Sequence, residues 1–179
     1  MKRLACAVFL LVCGAAAARA QMQAPTGEEE RAAMAKLAYM AGKWTGEGWM
    51  DMGGGRHTFR GGEVVQPKLR GAVLQVEGDF TGKVGEGDRE GPVHTTLGVI
   101  SWDARAGKYR FHTWLATGQA GQYELVLKPD GWQWELELPQ MRIRYTSKFT
   151  AGEWFEIGER STDGTNWQKF FEMTLRKAP

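Results

Sequence analysis

The sequence has 179 residues, with 23 basic and 21 acidic side chains and two cysteines. That length supports one domain with one core rather than two. A cleaved leader of residues 1–20 would carry off Lys2, Arg3 and Arg19 together with Cys6 and Cys13, leaving 20 basic residues against 21 acidic ones. This balance speaks against a nucleic-acid partner, and the loss of both thiols excludes disulfides, a thiolate nucleophile and a cysteine-ligated metal.

The leader reading rests on three features. Lys2-Arg3 is a basic start, Leu4 to Ala18 is apolar, and Ala18-Arg19-Ala20 puts small residues at the −3 and −1 positions of a cut before Gln21. The apolar run is too short to span a bilayer, so no transmembrane segment is expected in the mature chain. Cys13 follows the bulky Val12, which argues against lipidation. The protein is therefore expected to be exported to the periplasm or the medium. Residues 21–26 read as a disordered start and 27–179 as a single domain.

Thr26 and Glu29 have capping-box spacing, and Met34, Leu37, Tyr39 and Met40 give an apolar face to a helix over 27–41 that Gly42 stops. After Gly42 the hydrophobic period becomes two. Strands are predicted at 43–51, 56–66, 72–80, 93–103, 108–117, 120–128, 132–138, 141–149, 154–162 and 167–175. Pro67, Pro92, Pro129 and Pro139 fall between them. Ten short strands on short connections imply an antiparallel meander, and closure into an up-and-down barrel removes its edges. The longest gap, Thr81 to Pro92, is Gly-rich and charged and reads as a mobile loop over the mouth.

Pairing the hairpins defines the two faces. Around Pro139-Gln140, Leu138 meets Met141, Leu136 meets Ile143 and Trp134 meets Tyr145, while Glu137 and Glu135 meet Arg142 and Arg144 outside. The turn Lys128–Gly131 adds Leu127 with Trp132 and Leu125 with Trp134. The turn Asp103–Gly107 sets Val99 against Phe111 and Ser101 against Tyr109. Ala151-Gly152 sets Ser147 against Glu156 and Ile143 against Arg160. Asp163-Gly164 sets Glu156 against Phe171, Gly158 against Lys169 and Arg160 against Trp167.

Gly42-Lys43-Trp44 after a helical turn and before a meander resembles the start of lipocalin-like (calycin) barrels. The resemblance implies that Trp44 lies across the closed end and that a basic residue past the last strand packs on it: Arg176, with Lys177 as substitute. Gly42, Trp44 and Arg176 are then structural anchors. The chain departs from true lipocalins in lacking room for their C-terminal helix, and Thr162-Asp163 is followed by Gly164 rather than an aromatic residue. Ten strands look closer to the fatty-acid-binding and nitrobindin-like branches, and Trp154 to Arg176 resembles secreted bacterial barrels.

The predicted inner wall holds Glu156, Arg160 and Lys169 among Tyr109, Phe111, Trp134 and Tyr145. Buried charges are costly without partners. They either sit at the rim or pair with one another, fix the head of a ligand, or serve catalysis with Glu156 as base. Two adjacent cations would lower the pKa of Glu156 and weaken it as a base. Gly158 leaves room beside Lys169. The predicted register puts His112 against Gly98, about 13 Å from His94, so no shared metal site is expected. A single His could ligate haem, as the nitrobindin-like resemblance implies, although His112 falls on the outer face with Trp114.

The favoured expectation is a barrel binding a small apolar or aromatic molecule with an acidic or polar head, held by Arg160, Lys169, Glu156 and Tyr145. It carries no resident cofactor, no catalytic residue and no metal. A haem-binding barrel, a barrel enzyme and a filled protein-interaction barrel are the alternatives. Trp49, Trp102 and Trp114 could lie outside and form a homodimer surface unless turns and the helix cover them.

Overall fold

The computed structural model describes residues 26–51, 53–85 and 89–179. The leader reading of residues 1–20, and residues 21–25 of the expected disordered start, lie outside them. Helix α1 (Glu28–Ala35) is followed by a 3-10 turn, Ala38–Met40. The helix is thus shorter than the predicted 27–41. Its N-cap is Gly27 rather than Thr26, and no side chain caps it. Instead Glu28, Glu29 and Glu30 sit in the first turn, where the helix dipole favours acids.

Ten strands follow: β1 (Gly42–Asp51), β2 (Arg56–Lys68), β3 (Val73–Lys83), β4 (Glu90–Asp103), β5 (Lys108–Leu115), β6 (Ala120–Lys128), β7 (Gly131–Leu138), β8 (Met141–Thr150), β9 (Glu153–Ser161) and β10 (Gln168–Lys177). Each pairs antiparallel with the next, and β10 closes on β1 from Trp44↔Lys177 to Met50↔Phe171. The predicted all-β, closed up-and-down barrel is the observed fold. No helix of the described residues is long and apolar enough to cross a membrane.

The β7–β8 and β8–β9 registers are those expected from the turns. Four details differ. Pro67 and Pro92 lie inside β2 and β4, not between strands; Pro67 is near a strand end, and Pro92 faces a bulge between Phe80 and Thr81. The predicted Thr81–Pro92 loop is mostly hairpin, because β3 runs to Lys83 and β4 starts at Glu90. The Asp103 hairpin pairs Asp103 with Lys108, so Phe111 meets Ile100, Tyr109 meets Trp102, and His112 meets Val99. In β10 a bulge between Lys169 and Phe171 sends Phe170 and Phe171 both inward and shifts the register: Phe171 meets Gly158, Met173 meets Glu156 and Gln168 meets Arg160.

Helix α1, through Ala33 and Met34, and the 3-10 segment after it, through Leu37 and Met40, cover one end of the barrel, all four side chains buried. Tyr109 donates to the Ala33 carbonyl at 2.7 Å, and Trp102 donates to Glu29 Oε1 at 3.0 Å. Beneath the helix, Trp44 meets Trp154 and Phe149 edge-on at 5.9 and 5.8 Å, and its indole N–H donates to Met40 O at 2.8 Å. The cation near the Trp44 ring is Lys177, with Nζ 5.1 Å from the centroid. Arg176 stands opposite Thr45 in the β1–β10 register, and its side chain pairs outside with Glu153 at 3.0 Å. The substitute named above thus takes the expected place of Arg176. Gly42 has φ +136°, and a Cβ there would lie 2.8 Å from Lys177 Cε, so this corner has space only for glycine.

Inward glycines shape the rest of the barrel. A Cβ on Gly48 would strike the Phe59 ring, on Gly98 the Phe111 ring, on Gly121 the Tyr123 ring, and on Gly78 the Glu63 carboxylate. Each large side chain lies flat over a glycine, on the adjoining strand in three of these pairs and on its own strand for Gly121 and Tyr123. The rings over these glycines therefore lie along the wall, whereas Trp134 and Tyr145, paired on neighbouring strands and stacked on each other at 4.7 Å, stand off it.

Candidate functional site

The middle of the barrel carries an aromatic wall. Trp134 stacks on Tyr145 at 4.7 Å, meets Phe111 edge-on at 5.4 Å and lies 4.6 Å from Tyr123. These rings belong to four successive strands, β5 to β8, brought together by the registers Phe111↔Tyr123 and Trp134↔Tyr145. Facing inward, Phe111, Tyr123, Trp134 and Tyr145 nevertheless keep part of their surface open to solvent. Part of the inner wall is thus left uncovered by packed side chains.

Two carboxyls lie at this level. Glu156 is buried; Ser147 Oγ donates to its Oε2, and Trp154 Nε1 donates to that Ser147 oxygen at 3.1 Å. Burial pushes its pKa up to about 7, against a downward pull from the Ser147 and Trp154 hydrogen bonds. The expectation that cations lower it is therefore reversed, because neither expected cation reaches it. Glu63 on β2 projects inward beside Gly78, and its Oε2 is buried without a hydrogen-bond partner. Burial first, and the negative charge of Glu156 second, push Glu63 up to about 8. Burial also raises the Tyr145 hydroxyl, with Glu156 adding to the shift.

The other predicted site residues separate. Lys169 lies outside: the bulge reverses its face, it pairs with Glu172 at 2.5 Å, and it sits 5.8 Å from the outer ring of Trp49. The expected room beside Gly158 is taken by Phe171, Tyr145 and Phe170, with Phe171 and Tyr145 atoms 2.9 Å from where a Cβ would stand. Arg160 faces inward but lies toward the mouth, where its guanidinium donates to Asp51 O at 3.5 Å and lies 5.9 Å from the Phe170 ring. Tyr109 belongs to the closed end, held by the helix. Phe111, Trp134, Tyr145 and Glu156 are brought together.

Glu63 escaped the sequence reading. Its signal was the alternation Phe59, Gly61, Glu63, Val65, which puts a carboxyl on an apolar face. Gly61-Gly62, just before it, adds no side chain to that alternation. The outer ladder differs in one partner: Arg142 binds Glu135 and Glu137, each at 3.2 Å, but Arg144 turns to Glu159 at 2.8 Å and stacks on Trp167 at 4.0 Å. Of the three tryptophans weighed as outer, Trp102 is covered by the helix, Trp49 is sandwiched by Arg56 and Lys169, and Trp114 stays exposed beside His112. A separate open depression of about 480 Å³ lies against β1–β3 and β10 and includes Trp49, Arg60, Lys83 and Glu172. Its Arg60 is already paired with Glu90 at 2.6 Å, and none of the inner carboxyls lines it.

No protein-family model matches the sequence, and no curated protein matches it. Solved structures do match. Rv2717c from M. tuberculosis aligns with a TM-score of 0.59 at 13% identity, over 82% of this chain and 98% of its own. The S-type phycobiliprotein lyase CPES from Guillardia theta aligns with a TM-score of 0.53 at 6% identity, over 87% of this chain and 99% of its own. With ten strands closed into one barrel, the fold is calycin-like. At these identities the likeness is one of fold alone.

Proposed function

We propose that the chain is an exported barrel that binds a small, mainly apolar or aromatic molecule with a polar head in its interior. One observation carries this reading: Phe111, Tyr123, Trp134 and Tyr145 form a continuous inward wall that stays solvent-accessible above two inner carboxyls. A wall of aromatic rings offers apolar area, and a few polar groups at its base fix orientation, as in small-molecule pockets generally. The fold likeness to a phycobiliprotein lyase is in keeping with ligand binding. The head is held by Glu156 and Tyr145 rather than by Lys169.

Native mass spectrometry of protein from a periplasmic extract tests the reading. A co-purifying small molecule, lost in Trp134→Ala, is expected, and an N-terminus at Gln21 is expected if the leader is cleaved. Protein that carries no ligand and whose tryptophan fluorescence ignores a panel of lipids and aromatic compounds would refute it.

Haem binding is a second reading, favoured by His94. Its ring lies 6.2 Å from the Phe80 ring on the inner side near the mouth, and desolvation lowers its pKa, keeping the imidazole neutral as ligation requires. His94 is the residue that would hold the iron. A Soret band on haem titration that disappears in His94→Ala would support this reading.

A further inference from the structure

Glu63 presents an unanswered carboxylate. Its Oε2 is buried, aimed into the barrel, and unpartnered among the described residues. Buried polar atoms in native proteins are nearly always satisfied, so this oxygen, one of two such atoms among the described residues with the Trp132 indole nitrogen, asks for a donor. The protein supplies none from its cations. Among the described residues no Lys or Arg forms an ion pair with Glu63 or Glu156. Arg160 is engaged at the mouth, Lys169 outside, and Lys177 donates to Tyr39 O at 3.3 Å at the closed end.

The two acids also repel each other, since Glu156 destabilises the ionised form of Glu63. A third acid in this space would compound the repulsion. A hydroxyl could donate one hydrogen bond but would leave the charges unbalanced. A protonated nitrogen donates to the open oxygen and offsets both carboxylates at once. The cluster of Phe111, Trp134 and Tyr145, each partly open, suits an aromatic body.

We infer that Glu63 and Glu156 form a two-carboxyl seat for the protonated amine head of an aryl-alkyl amine, whose body lies against Phe111, Trp134 and Tyr145. The inference rests on the small-molecule reading above and replaces the acidic head considered from the sequence. The titratable groups facing the pair are Tyr145 on β8 and Tyr123 on β6, with His94 and Arg160 nearer the mouth. Near neutral pH the free barrel keeps most of the Glu63 proton and part of the Glu156 proton, so seating a cation expels protons.

Calorimetric titration with 2-phenylethylamine, 2-phenylethanol and phenylacetate tests the assignment on the mature protein. The amine is expected to bind at least about tenfold tighter than the alcohol, with phenylacetate weakest. Its affinity should rise about a hundredfold between about pH 6.5 and pH 8.5, and buffers of different ionisation enthalpy should report proton release. Glu63→Gln should cut amine affinity about tenfold or more while leaving the alcohol within about threefold. The amine-to-alcohol ratio and the proton release are read on unmodified protein, so they stand even if the variant folds poorly. Equal or tighter binding of the alcohol or of phenylacetate, or amine binding without proton release, overturns the cation seat and leaves the cavity reading intact. Failure of all three to bind overturns both.

Discussion

Glu63 makes stability itself a probe of the barrel interior. In the unfolded chain it ionises near 4.5, but in the fold it keeps its proton up to about pH 8. Between those values the folded state holds one more proton than the unfolded state. Stability attributable to this group is therefore intact below pH 4.5 and is lost as pH rises toward 8. The separation corresponds to ~5 kcal/mol at about 1.4 kcal/mol per pH unit. Glu156 has the same sign over a narrower window, from 4.5 to about 7. Glu63→Gln removes the first contribution and keeps the second. Urea unfolding followed by tryptophan fluorescence from pH 4 to pH 9 reads the difference. The variant is expected to gain on the unmodified protein by ~5 kcal/mol across that range, a large share of the 5–15 kcal/mol typical of a whole domain. Most of the gain should come between pH 5 and pH 8. A difference between the two proteins that does not change with pH would show that Glu63 is solvated, and the argument built on its burial would fail.

Three further outcomes follow from the packing. Trp44→Ala should cost ~3–5 kcal/mol in chemical denaturation, because it empties a buried ring site and removes the donor to Met40 O. Gly158→Ala should cost ~1–3 kcal/mol in the same assay, since the new methyl stands 2.9 Å from Tyr145 and Phe171. Lys169→Ala should leave the affinity for any interior ligand within about twofold in titration, as its ammonium is on the outer face; a larger loss would relocate the site.

The sequence made the fold legible because Pro129 and Pro139, the Asp-Gly and Gly turns and the two-residue alternation agree with one another, while Pro67 and Pro92 fell inside strands. Hairpins with tight turns, at Pro139-Gln140 and Ala151-Gly152, fixed their registers to the residue. The Asp103 hairpin slipped by one because its loop length was ambiguous, and one residue decides which face a side chain takes. Lys169 was misplaced for the same physical reason. A β-bulge is an extra residue that alternation cannot announce, and two adjacent phenylalanines offer equal claims to the interior. The aromatic part of the site was visible as cross-strand pairs. Glu63 was less so, because Gly61 and Gly62 precede it and Gly78 stands opposite it on β3, where no side chain marks the pairing.

Those glycines carry a consequence for how such a barrel can change its cargo. Gly48, Gly98 and Gly121 give large rings a place to lie flat, and Gly78 does the same for the Glu63 carboxylate. A methyl added at Gly78, Gly98 or Gly121 would lift its neighbour off the wall and into the lumen without altering any residue a ligand touches, whereas at Gly48 it would also strike the Glu172 carbonyl. Capacity is thus encoded one position removed from contact. Lineages diverging in what they carry could do so through Gly-to-Ala exchanges that a comparison of ligand-contacting residues would overlook.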